Sequence, residues 1–282
     1  MFASIVDLYR YPFIQNALIS GVCVAVASAV SGYFLVGRGF TFAGHALPNI
    51  GFAGAAGAVL FGVRPVYGLF ALTILAAVTM AFAGRDVRER DVSIGVIMTF
   101  GLGLGLMFLS LYSGYAQQVY SILFGTILGI TRQDTLLTAL SSMGVVGVLL
   151  FLFRPLLFST VDPVTAAARG VPLLFLSVIF LVTVAVTVSL AVQVVGAMLV
   201  FTLLVGPSAT ATRITGRPVH AILLSSFLGV SYVFIGITLA GLSGNWPVSF
   251  FIAAISFLVY LPVRIVTGRP HASIRYAKVH DS

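Results

Sequence analysis

The stretch LLFLSVIFLVTVAVTVSLAV, residues 173–192, decides the class of this protein. Its 20 residues carry no charge, and as an α-helix they reach about 30 Å, the thickness of a bilayer's hydrocarbon core. Similar runs recur in both directions. Apolar stretches between polar breaks occupy residues 12–36, 46–62, 66–83, 93–112, 134–153, 173–192, 194–211, 219–240 and 248–266. The second is short and the break at 192–194 is soft, so the pattern predicts about nine (eight to nine) transmembrane helices. It describes an all-α polytopic membrane protein with one transmembrane domain over 1–282, of which 266–282 is a cytoplasmic tail. The piece 116–130 is too short to cross and reads as a helix lying on or re-entering the surface.

Composition agrees. Of 282 residues, 60% are apolar and 8% charged, whereas soluble domains are about one quarter charged. The single cysteine, Cys23, excludes an intrachain disulfide framework and a thiolate cluster. The net charge of +8 comes mainly from 14 arginines placed one to three at a time between apolar runs. A phosphate-binding face would concentrate them in one patch, so nucleic acid is not the expected partner.

Arginine placement instead orients the chain. With nine spans and the N-terminus outside, the inner loops hold Arg38, Arg85, Arg88, Arg90, Arg154, Arg169, Arg213 and Arg217. The inner tail adds Arg264, Arg269, Arg275 and Lys278, leaving Arg10, Arg64 and Arg132 outside. Cytoplasmic loops retain such residues, which predicts N-out and C-in. All seven acidic residues (Asp7, Asp86, Glu89, Asp91, Asp134, Asp162 and Asp281) fall outside the spans or at their edges. Ala25-Val26-Ala27 has the small-residue spacing of a signal-peptidase site, but the apolar run continues to Val36, favouring a retained span.

Several chemistries are missing. A P-loop needs Gly-Lys-Ser/Thr, and the only lysine, Lys278, precedes Val279. One glutamate, Glu89, leaves no metalloprotease helix, and no Gly-x-Ser-x-Gly elbow occurs. Gly101, Gly103 and Gly105 sit inside a span, where glycines permit close helix packing.

Four places can carry function. At the first, Arg38, Gly39 and Gly44 precede His45, and Pro48 fits a first helical turn. His45 and Asn49 share a face if the helix starts early enough. Two readings stay open: the pair caps the helix end, or the imidazole touches a borderline metal such as zinc in transit. Next, Asp162, Pro163, Ala166 and Gly170 outline a short helix with N-cap, first-turn proline and closing glycine, open to docking or to a plain connector role. At the third, Gly196 and Gly206-Pro207 would interrupt a span. Finally, Asn245 and Trp246 lie at the outer interface. His220, His271 and His280 have no partner at ligand spacing.

These residues, taken in order, resemble the permease of ABC-type importers for zinc, manganese and related metals. Gly44-His45-Ala46-Leu47-Pro48-Asn49-Ile50 stands where the family has Gly-Asp-Ala-Leu-Ser-His-Ala. Asp91-Val92-Ser93-Ile94-Gly95-Val96 is similar to Asp-x-Ala-Ile-Gly-Ile, and Leu123-Phe124-Gly125-Thr126-Ile127-Leu128 to Leu-Phe-Gly-x-Ile-Leu. Asp162, Pro163, Ala166 and Gly170 match Asp-Pro-x-x-Ala-x-x-x-Gly. Val194, Val195, Gly196, Leu199 and Val200, then Pro207, Ala209, Thr210 and Ala211, match the remaining motif.

The resemblance implies a type II importer fold and an inner-membrane location. It implies two permease copies around a central path, cytoplasmic ATPase subunits that use ATP, and an extracytoplasmic metal-binding protein. The coupling helix would be Asp162 to Gly170. His45 and Asn49 replace the family's aspartate and histidine, and Asn245 stands near Pro247 where the family has an aspartate. Loss of the carboxylate disfavours manganese more than zinc. The expected cargo is therefore zinc first, with manganese or iron as other candidates. No catalytic residue and no permanently bound cofactor is expected. The competing reading is an ion-gradient-driven secondary transporter or channel, which usually keeps a carboxylate inside the membrane. An enzyme acting on lipid has no supporting residue set.

Overall fold

The computed structural model describes residues 10–83, 87–112, 130–243 and 246–268. Every regular element among them is helical: α1 Pro12–Gly37, α2 Thr41–Leu60, α3 Pro65–Ala81, α4 Val87–Leu111, α5 Arg132–Phe151, α6 Phe153–Val161, α7 Pro163–Ala168, α8 Leu173–Val195, α9 Ala197–Ile214, α10 Pro218–Ser243 and α11 Val248–Thr267. Their ends follow local chemistry. Pro12, Pro65 and Pro163 open helices where a missing N–H costs nothing. Thr131 and Asp134 close a capping box on α5, with Asp134 N–H donating to Thr131 Oγ1 at 3.2 Å. Gly268, at φ 54°, terminates α11.

Nine crossings do not fit this structure. Six helices are long and apolar enough to span a membrane: α1, α4 from Glu89, α5, α8, α10 and α11. The other three stretches fall short. Pro65–Ala81 has 17 residues. The helix α2 is diluted by Gly44, His45, Pro48, Asn49, Gly51, Gly54 and Gly57, and α9 is cut off from α8 by Gly196. A helix enclosed by protein is not required to be apolar enough for lipid, and 15 residues of α2 are buried. Orientation then rests on where the arginines lie and not on an odd number of crossings. The segment 116–129 and the Leu123–Leu128 motif lie outside the described residues, as do Asn245, the tail beyond Gly268, and Arg85 and Asp86.

At the centre stands α1, held to its neighbours by hydrogen bonds from serine and threonine hydroxyls. Ser20 donates to Thr135 on α5 at 3.2 Å, Ser31 pairs with Thr187 on α8 at 3.0 Å, and Ser208 on α9 donates to the Ala29 carbonyl at 3.2 Å. Thr73 on α3 and Ser189 on α8 form a further pair at 2.7 Å. In lipid, where helices gain little from hydrophobic attraction, such bonds and close backbone approach hold a bundle together. Gly32 provides that approach, because a Cβ there would strike the Leu204 carbonyl of α9. Gly54 of α2 and Gly68 of α3 lie backbone to backbone in the same way.

Charges collect at the helix ends. Arg38, Arg90, Arg154, Arg169, Arg213, Arg217 and Arg264 gather at the end formed by the C-termini of α1, α9 and α11 and by α6 and α7. Arg10, Arg64 and Arg132 lie at the opposite end.

Candidate functional site

Between α1 and α2 the chain reverses within three residues. Gly39, at φ 68°, makes the reversal possible, and the Phe40 N–H returns to the Leu35 carbonyl at 2.9 Å. The helix α2 therefore starts at Thr41, five residues before the boundary expected at 46, and Pro48 is interior rather than in the first turn. A proline there leaves the Gly44 carbonyl without its helical donor.

His45 and Asn49 do share a face, one turn apart. The Asn49 side-chain amide donates to the His45 carbonyl at 2.9 Å and points at the Met98 sulfur of α4 at 3.8 Å. The pair is joined through backbone, not ring to amide. The His45 ring is exposed and edge-on to Phe201 of α9, with centroids 5.5 Å apart, and lies 6.4 Å from Phe42. The imidazole and the amide thus lie on one face of α2, with the thioether of α4 beside the amide. Among the described residues, no group of three or more His, Cys, Asp or Glu is placed to hold a metal ion.

Met98 escaped the sequence reading, although its register holds the signal. Ile94, Met98, Gly101 and Gly105 recur at helical spacing on one face of α4. Ile94 is fully buried. A Cβ on Gly101 would lie 2.8 Å from Ile50, and one on Gly105 would lie 3.0 Å from Ala53, both on α2. Gly103 points away, with nothing within 4 Å. Two of the three glycines press α4 onto α2, and Met98 is carried in on that face. On α2 itself, Gly51 meets Thr73 and Gly57 meets Phe108, so these glycines serve packing.

The second candidate site is the short helix α7. Asp162 caps it, accepting from the Thr165 N–H at 2.9 Å and from the Thr165 hydroxyl. Pro163 follows at the first position, and Gly170, at φ 80°, closes the turn as the Val171 N–H reaches the Ala166 carbonyl at 3.0 Å. The Thr165 hydroxyl and then its N–H hold the Asp162 carboxyl below the ordinary aspartate range. Ala166 is fully buried against the protein, whereas Val164 is 74% exposed and Ala167, Ala168 and Arg169 also face outward. The outward surface of α7 is therefore made by Val164, Ala167 and Ala168, and Ala166 anchors the helix from beneath.

The remaining sites resolve differently from expectation. The chain breaks at Gly196, φ 90°, between α8 and α9, while Gly206-Pro207 lies inside an unbroken α9. There the Thr210 hydroxyl donates to the Gly206 carbonyl at 2.8 Å, and Pro207 packs near Gly229 of α10. Trp246 stacks on Phe251 with centroids 6.0 Å apart. His220 is exposed, and His271 and His280 lie outside the described residues.

Comparison with known proteins gives a consistent result. The model of the ABC 3 transport family matches residues 10–267. The manganese transport system membrane protein MntC of Listeria monocytogenes is 30% identical over 231 residues, covering 82% of each chain. The high-affinity zinc uptake system membrane protein ZnuB of Buchnera aphidicola is 26% identical over 224 residues, covering 79% of this chain and 86% of that one. The solved structure of PsaBC from Streptococcus pneumoniae in complex with Fab aligns with a TM-score of 0.82 at 26% identity, covering 98% of both chains.

Proposed function

Because this chain belongs to the ABC 3 transport family, and is a multi-pass protein of the plasma membrane, we propose that it is the permease of an ABC-type importer of divalent transition metal. In this reading ATP is hydrolysed by separate cytoplasmic subunits docked on the outward surface of α7. An extracytoplasmic binding protein delivers the ion, and a second copy of the permease completes the path. The match to PsaBC carries the proposal, since it covers 98% of both chains.

Zinc is the proposed cargo. Its support is the donor chemistry at α2, where His45, Asn49 and the nearby Met98 supply nitrogen, amide and sulfur groups and no carboxylate. Imidazole and thioether suit borderline and soft metals better than manganese. Manganese is the second reading, favoured by the names of relatives such as MntC.

The deciding experiment reconstitutes the chain into vesicles with its ATPase subunits and binding protein. ATP-dependent zinc accumulation that exceeds manganese accumulation is expected. Preferential accumulation of manganese would replace the cargo assignment. Uptake by the chain alone, independent of nucleotide and abolished by collapsing the proton gradient, would overturn the importer reading.

A further inference from the structure

At the arginine-rich end, one side chain reaches from the turn between α1 and α2 to both helices that flank α7. The Arg38 guanidinium donates to Ser159 on α6 at 3.3 Å and to Ser177 on α8 at 2.9 Å, and lies 5.4 Å from the centroid of the Phe180 ring. These two serines flank α7. Ser159 sits in the last turn of α6, whose C-cap, Asp162, is also the N-cap of α7. Ser177 sits in the opening turns of α8, whose N-cap Pro172 follows the glycine closure of α7. One planar fork thus grips both arms of the segment containing α7. Contact between α1 and α6 is close besides, because a Cβ on Gly37 would lie 3.2 Å from the Thr160 methyl.

The other side of this junction leads to His45. Arg90 of α4 donates to the Gly39 carbonyl at 2.6 Å and covers the Phe40 ring at 3.8 Å, and Phe40 is the N-cap of α2. His45 follows on the second turn of that helix. Two guanidinium groups brought together are costly, and burial together with the Arg90 charge pushes Arg38 down to about 10. The arrangement keeps a half-buried, hydrogen-bonded cation where a simple connector would use apolar residues.

We propose that Arg38 is a positioning residue that ties the α7 segment to the helix bearing His45, so that movement of α7 is passed to the metal path. This rests on the reading of α7 as the ATPase-docking helix. The fork makes two hydrogen bonds of fixed geometry, which lysine does not reproduce.

The test uses the assembled transporter in vesicles, with zinc uptake and ATP hydrolysis measured together. Arg38→Met should retain the ATPase subunits and continue to hydrolyse ATP, while zinc taken up per ATP falls about ten-fold, within the range typical of coupling between sites. Ser159→Ala combined with Ser177→Ala leaves the charge in place and should lower the same ratio. An unchanged ratio in either variant overturns the proposal. So does a proportional fall of uptake and hydrolysis, which marks a merely structural role. If Arg38→Met fails to assemble, the double serine variant decides. The docking reading is judged separately. Should Ala167→Glu with Ala168→Glu leave ATPase retention intact, α7 is not the docking helix, whatever Arg38 does.

Discussion

His45 and Met98 set the first expectations at the residue scale. Replacing His45 by alanine removes the only imidazole on this face of α2, and the exposed ring holds up no core. Assembly should persist while zinc uptake drops about ten-fold or more, the scale on which altering a metal's surroundings changes affinity. Met98→Leu keeps volume and removes sulfur, so the fold should survive with a lower zinc-to-manganese uptake ratio. Asp162 makes a pH prediction whose sign follows from its depressed carboxyl. Its capping contribution is present above the ordinary aspartate range and is lost as pH falls through the lower folded value. Amide exchange across 163–168, corrected for intrinsic rate, should therefore rise on acidification, and Asp162→Asn should flatten that response.

Helices show what was legible in the sequence and what was not. Asp162, Pro163 and Gly170 were readable because capping is local chemistry, decided within a few residues. The inward turn of Ala166 was not, since three neighbouring alanines look alike until a second surface covers one of them. Pro48 misled for the same reason. Its preference for a first turn is a tendency, and the reversal at Gly39 starts α2 seven residues earlier. The glycines of α4 offer a direct test of close packing. Gly101→Ala forces Ile50 to move and should cost about 1–3 kcal/mol of stability, as overpacked sites do. Gly103→Ala meets nothing and should gain about 1 kcal/mol from helix propensity. Thermal unfolding of the two purified variants in detergent should therefore shift in opposite directions.

Across the whole molecule, the number of crossings was overestimated because hydropathy is read one segment at a time. A short or glycine-rich apolar segment resembles a span until its neighbours are known, and α2 and α3 are packed against each other through Gly54 and Gly68. Arginine asymmetry was legible, because seven arginines gather at one end of the described structure. That end should face the cytoplasm. With Cys23 replaced by serine, a cysteine introduced at Ala167 should react with an impermeant thiol reagent only from the inner side, and one at Val63 only from the outer side.

The hydroxyl pairs that hold α1 to its neighbours have an electrical consequence. Among the described residues, every Asp, Glu, Lys and Arg sits within the first or last turns of a helix, or between helices. Moving one elementary charge through a membrane potential changes the energy by about 2.3 kcal/mol per 100 mV. Helices joined through serine and threonine shift without carrying such a charge, so their rearrangement is blind to voltage. Polarising the vesicles should then alter uptake only through the charge of the travelling ion.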